Sequence, residues 1–168
     1  MKMRRLKQQI PEAEAKDILK KATNGVLCLT DYENKPYGVP MSFIYDGDRS
    51  IYFHCALTGR KIECIKHNSN ACFTIIDQDE IHPTEFTTYF RSVIVEGIIK
   101  IIEERKEMIE ALKLLSSKYS PGLDCEPEIE KGINRVLILK LEIDSITGKE
   151  AIELTRKRNV EDKPTGEG

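Results

Sequence analysis

Residues 91–102 constrain this chain more than any other stretch. Val93, Ile94 and Val95 run together, followed by Ile98 with Ile99 and then Ile101 with Ile102. Successive side chains of a strand point to opposite faces, so a strand with this pattern is apolar on both. Both faces then need cover. The interior of a barrel covers one, and a helix or a second subunit must cover the other. The pattern therefore leads us to expect a dimer. Gly97 interrupts the run and marks a bulge or bend.

Shorter segments surround this strand. Residues 26–30, 37–45, 50–55, 71–77 and 135–143 read as five more strands, with polar turns at 31–36 and 46–48. Helices are expected over 10–23, 58–67 and 104–119. Ala15, Ile18, Leu19 and Ala22 fall at helical spacing in the first, behind Pro11, and Met108, Ile109, Leu112 and Leu115 share a face of the third. Residues 78–88, polar and containing Pro83, read as a loop. Six mostly antiparallel strands with helices outside imply a mainly β fold, a six-stranded barrel that is closed or partly open.

At 168 residues the chain suits one domain, expected over 1–154, and the charged stretch 155–168 reads as a disordered tail. Lys and Arg total 26 against 28 Asp and Glu, a net charge of −2. That balance argues against a nucleic-acid coat, which needs excess cations, and leaves room for a local anion site. No apolar run approaches the ~20 residues that cross a bilayer, so no membrane partner is expected. The basic start Met1-Lys2-Met3-Arg4-Arg5 leads into no apolar stretch, so no signal peptide is expected either. The five cysteines (Cys28, Cys55, Cys64, Cys72, Cys125) are an odd number and read as reduced thiols in a cytoplasmic protein.

Ile51 to Lys61 is the stretch richest in chemistry. A strand ends, a turn containing Gly59 follows, and a helix begins with Arg60 and Lys61 in its first turn. Cations there oppose the helix dipole. Free backbone N–H groups together with Arg60 and Lys61 would make a phosphate cradle; the alternative is a solvated surface pair. His54 shares a strand face with Tyr52 and Ala56, two steps from that cradle, and is a candidate to line the same pocket. No dinucleotide or P-loop glycine motif is present. Cys55, Cys64, His67 and Cys72 lack a C-x-x-C pair, so no metal site is assigned.

These residues resemble a known family. Val39-Pro40-Met41-Ser42-Phe43-Ile44-Tyr45, then Ile51 to Ala56 through Gly59-Arg60-Lys61, then Phe86 to Gly97, and finally Ile146-Thr147-Gly148-Lys149 are similar to pyridoxamine 5′-phosphate oxidase-related flavoproteins, with the 5-nitroimidazole-resistance branch nearest. The likeness spans about residues 3–152. It implies an FMN-binding split β-barrel that works as a homodimer with FMN at the subunit interface. On that resemblance Arg60 and Lys61 match positions near the FMN phosphate. Val39, Pro40, Met41 and Ser42 match the strand beside the flavin ring, Tyr52 and His54 line the pocket, and Ser92 makes a polar contact. Thr147, Gly148 and Lys149 reach the flavin held mainly by the other subunit.

The resemblance implies an FMN-dependent oxidoreductase that reduces a small electron acceptor such as a nitroaromatic compound, with His54 as the catalytic residue donating a hydrogen bond or proton. The alternative is a flavin- or haem-binding carrier or sensor without turnover. The R-L-x-P ending of the vitamin B6 oxidases is missing here, which argues against that substrate. Cys55 stands where a smaller Ser is expected, on the strand face opposite His54.

Overall fold

The computed structural model describes residues 4–161. Helix α1 (Glu12–Lys21) follows Pro11, places Glu12 and Glu14 in its first turn and Lys20 and Lys21 in its last, and buries Ala15, Ile18 and Leu19. That charge order suits the helix dipole. There follow β1 (Asn24–Thr30), β2 (Pro36–Ser42), β3 (Ile44–Tyr45), β4 (Ser50–Ala56), α2 (Arg60–His67), β5 (Asn70–His82), β6 (Thr87–Ile102), α3 (Arg105–Tyr119), α4 (Glu126–Gly132), β7 (Val136–Glu150) and α5 (Ile152–Glu161). No described helix is long and apolar enough to cross a membrane.

The strands form one antiparallel sheet in the order β2-β1-β5-β6-β7-β4-β3. Seven strands stand where six were expected, because the segment 37–45 breaks at Phe43 into β2 and β3. Those two are the outermost strands of the order, yet one residue joins them. The sheet therefore curls so that one end of each outer strand comes together at Phe43, with no ladder between the two. Phe43 leaves both ladders, and its backbone finds its partner in a side chain. The Tyr119 hydroxyl at the end of α3 accepts the Phe43 N–H at 2.9 Å and lies 2.8 Å from its carbonyl oxygen, with the Thr23 carbonyl also in reach.

Inside the curl, Phe43, Phe53 and Phe73 pack edge to face at 4.8 and 5.0 Å, among Leu27, Ile51, Ile75, Val93, Val95, Ile99, Leu139 and Leu141. The ladder slips at Gly97: Glu96 faces Ser145 and Gly97 faces Ile143, so the extra residue is Asp144 on β7. A side chain at Gly97 would put its Cβ 1.9 Å from the Glu142 carbonyl oxygen, so only glycine fits.

Three expectations need correction. Residues 78–88 are not a loop. β5 and β6 keep pairing out to His82 and Thr87, and the arm turns through Pro83–Glu85. His82 stacks on Tyr89 at 3.7 Å, and the Tyr89 hydroxyl donates to Glu85 at 2.9 Å. The last strand does not stop at residue 143 but continues past the bulge to Glu150. Residues 155–161 are helical, because Arg158 has buried work to do: it lies 3.2 Å from Glu150 and donates to the Gln9 carbonyl at 3.2 Å. Glu150 is wholly buried and also receives Arg91 at 2.9 Å. Residues 162–168, the remainder of the expected tail, lie outside the described residues.

Candidate functional site

The turn after β4 needs Gly59, whose φ of 135° falls where other residues are strained. α2 starts there without a side-chain cap. The Gly59 carbonyl accepts the N–H groups of Ile62 and Glu63, and the first N–H groups of any helix have no intrahelical partner. The expected cation pair sits at this end, but its members do different things. The Arg60 guanidinium donates to Asp31 at 3.0 Å and stacks 4.5 Å over the Tyr37 ring. The Asp31 carboxylate also accepts the N–H groups of Lys35 and Glu33 at 2.9 and 3.0 Å. The Lys35 N–H first, and then Arg60, hold its carboxyl below the usual range. Arg60 thus clamps α2 to the β1–β2 turn, and one member of the expected phosphate pair has a partner already. Lys61 is half-buried and makes no ion pair among the described residues.

β4 carries the next residues. Tyr52 and His54 point to the outer face of the sheet, while Phe53 and Cys55 point into the core. Burial pushes the Cys55 thiol up, and the Lys61 charge partly offsets it. α3 lies over this outer face on Tyr52, Ile102 and Ile138. A hollow of about 360 Å³ opens between α3 and the sheet, lined by Ser42, His54, Leu112, Leu115, Ser116 and Tyr119. Its lining combines the aliphatic Leu112 and Leu115 with the polar Ser42, His54, Ser116 and Tyr119, the mix of a small-molecule pocket. Along β2 the side chains alternate: Val39 and Met41 pack on the core, whereas Pro40 and Ser42 pair with Val26 and Asn24 on the outer face. Of the four residues expected beside a ring, only Pro40 and Ser42 present side chains outward.

The remaining expected residues form a second group. Ser92 and Lys149 are direct partners across β6 and β7, and Thr147 sits opposite Ile94. The Lys149 ammonium lies 5.2 Å from the Phe90 ring centre. Gly148 is buried and faces the chain's own N-terminal segment. Its carbonyl accepts the Ile10 N–H at 3.1 Å, and a Cβ there would come within 2.3 Å of Ile10. Gly148 is therefore a docking point for that segment. The second group lies far from His54 within one chain. His54 pairs with Ile138, nine residues before Thr147 on the same strand, or about 30 Å along it.

Sequence reasoning missed two parts of this site. Asp31 was read only as part of a turn, and its pairing with Arg60 has no local signature. The end of α3, with Ser116 and Tyr119 facing His54, carries no signal beyond an amphipathic pattern.

The family model for pyridoxamine 5′-phosphate oxidase matches residues 11–150. No curated protein matches the chain. Among solved structures, a protein from Bacteroides thetaiotaomicron provisionally described as a 5-nitroimidazole antibiotic resistance protein superposes with a TM-score of 0.74. It is 26% identical, and the match covers 84% of this chain and 86% of that one. The flavocytochrome Anf3 from Azotobacter vinelandii shares the fold at a TM-score of 0.74, with 20% identity over 89% of this chain and 72% of its own. An FAD- and haem-binding protein from Mycobacterium smegmatis does so at 0.71, with 18% identity over 86% and 73%.

Proposed function

Because the chain belongs to the pyridoxamine 5′-phosphate oxidase family, we propose that it is an FMN-dependent oxidoreductase whose curled sheet is a split barrel, six-stranded when β2 and β3, one segment broken at Phe43, are counted once. The observation that carries this reading is Lys61: a half-buried lysine without an ion-pair partner among the described residues, at an uncapped helix start. A phosphate monoester complements that site in charge and in hydrogen bonding. Lys61 and the first N–H groups of α2 would hold the FMN phosphate, with Arg60 bracing the turn through Asp31. Pro40, Ser42 and Tyr52 would flank the ring. When bound, FMN supplies the redox chemistry.

His54 is suited to the acceptor. Its imidazole is exposed at the edge of the hollow under α3, where it can donate a hydrogen bond or proton to a small molecule gaining negative charge. Leu112 and Leu115 give that hollow an apolar wall. The Bacteroides relative favours a nitroaromatic acceptor. The separation of Ser92, Thr147 and Lys149 from His54 supports a homodimer, in which one copy's second group completes the other copy's site. Ile76 and Ile94, exposed on the outer face beside Ser92 and Thr147, would be covered by that partner. The free thiols fit a cytoplasmic location.

The visible spectrum of the purified protein, before and after adding FMN, tests the proposal. We expect retained oxidised flavin. In Lys61→Ala we expect FMN affinity to fall roughly 10- to 100-fold, as for loss of one charge-assisted hydrogen bond. A colourless protein that does not retain added FMN overturns the reading, and a haem band replaces it with the carrier or sensor alternative.

A further inference from the structure

One row of side chains runs straight across the outer face of the sheet, from Gly38 through Cys28, Cys72 and Glu96 to Ser145. Cys28 on β1 and Cys72 on β5 are direct partners in an antiparallel ladder. Residues so placed have Cα atoms roughly 4.5–5.5 Å apart, inside the range of about 4.4–6.8 Å that a disulfide spans. Both are free thiols and both are half-buried. The next position beyond Cys28 is Gly38, which has no side chain to cover it. A hollow of about 410 Å³ opens along the row, lined by Cys28, Thr30, Pro36, Cys72 and Glu96 among others. Neither sulfur is engaged strongly: Cys28 Sγ lies 3.8 Å from the Val26 carbonyl oxygen and Cys72 Sγ 3.7 Å from Thr74 Oγ1. Cys55 and Cys64, by contrast, are sealed in the core.

We propose that Cys28 and Cys72 form a redox-active dithiol that closes reversibly into a cross-strand disulfide, with a low-molecular-weight disulfide as its oxidant. One cysteine thiolate attacks the small disulfide, breaks its S–S bond, forms a mixed disulfide and releases one small thiol. The second cysteine, as its thiolate, attacks the protein sulfur of that mixed disulfide and releases the other small thiol. Two electrons and two protons pass from the pair to the oxidant, and the balance closes without flavin. Burial, and next the neighbouring Cys72, push the Cys28 thiol up. Exchange through its thiolate therefore quickens as the pH rises through the alkaline range.

The test uses the full chain and oxidised glutathione at mildly alkaline pH. Thiols titrated after unfolding should fall by two, the intact mass should drop by about 2 Da for the two lost hydrogens, and digestion should yield one linked peptide pair containing Cys28 and Cys72. Dithiothreitol should restore both thiols. In Cys72→Ser, Cys28 should stop at the glutathione adduct. Wild-type protein that loses no thiols, or that gathers glutathione adducts without the linked pair, overturns the proposal. FMN retention plays no part in these readouts, so this proposal and the flavin reading fail separately.

Discussion

Ile102 and Ile94 stand on the same face of the same strand, eight residues apart, and the molecule treats them oppositely. Ile102 is 8% exposed, with its partner Ile138 wholly buried, because α3 lies across both. Ile94 is 40% exposed and its neighbour Ile76 71%. The sequence of β6 demands cover along its whole length, and one chain supplies it at one end only. The covered end holds the hollow beside His54 and the hydroxyl that fastens the Phe43 break. The open end carries Ser92, Thr147 and Lys149. The contrast teaches that one helix covers only part of an apolar strand, and that the residues proposed to complete the site stand where the helix stops.

The strongest challenge to this contrast is truncation under the helix. Ile138→Ala leaves a cavity between sheet and α3, and substitutions of this kind cost about 2–5 kcal/mol. Urea unfolding would show it as a lower midpoint at unchanged slope. A loss below about 1 kcal/mol would mean that α3 rests on the sheet without being bound to it. The next effect is smaller and more local. Tyr119→Phe strips the buried N–H and carbonyl of Phe43 of their side-chain partner, which costs about 1–3 kcal/mol. Faster amide exchange at Phe43 than elsewhere in the core would show that the hydroxyl holds the two sheet edges together. Uniform exchange would remove that role.

Much of this architecture is legible in the sequence, and the missing parts share a cause. The double-apolar run at 91–102, the period of α1 and the Gly59 turn are local patterns, and each points to the element observed. The break at Phe43 is invisible because its hydrogen bonds come from Tyr119, 76 residues away. The helix over 152–161 looks like a solvated tail because Arg158 and its neighbours are charged. Its stability depends on Glu150, a carboxylate buried by the sheet and paired with Arg91. The arm at 78–88 is polar in side chains but paired through its backbone, which composition does not report. At the site, the cation pair was legible as a pair. Its division into a clamp and an ammonium without an ion pair among the described residues was not, since Asp31 lies 29 residues upstream of Arg60. Gly148 matched the family pattern, and what it does in this chain is make room for Ile10.

The smallest effect on folding is expected at the open end, and it decides what that end is for. Ile94→Glu replaces a half-exposed side chain whose neighbours across the ladders are Thr74 and Thr147, so the single chain loses little packing and its stability should change by less than about 0.5 kcal/mol. If a second copy covers this face, the same substitution buries a carboxylate against apolar surface without a partner, which association cannot tolerate. Sedimentation should then find the wild type as a two-chain species and Ile94→Glu as a single chain of 19.2 kDa, with nearly the same unfolding midpoint at low concentration. A wild type that sediments as one chain would leave β6 uncovered at this end. Ser92, Thr147 and Lys149 would then have no route to His54, which pairs with β7 some 30 Å along the strand from Thr147, and the homodimeric site would have to be abandoned even if FMN binds at Lys61.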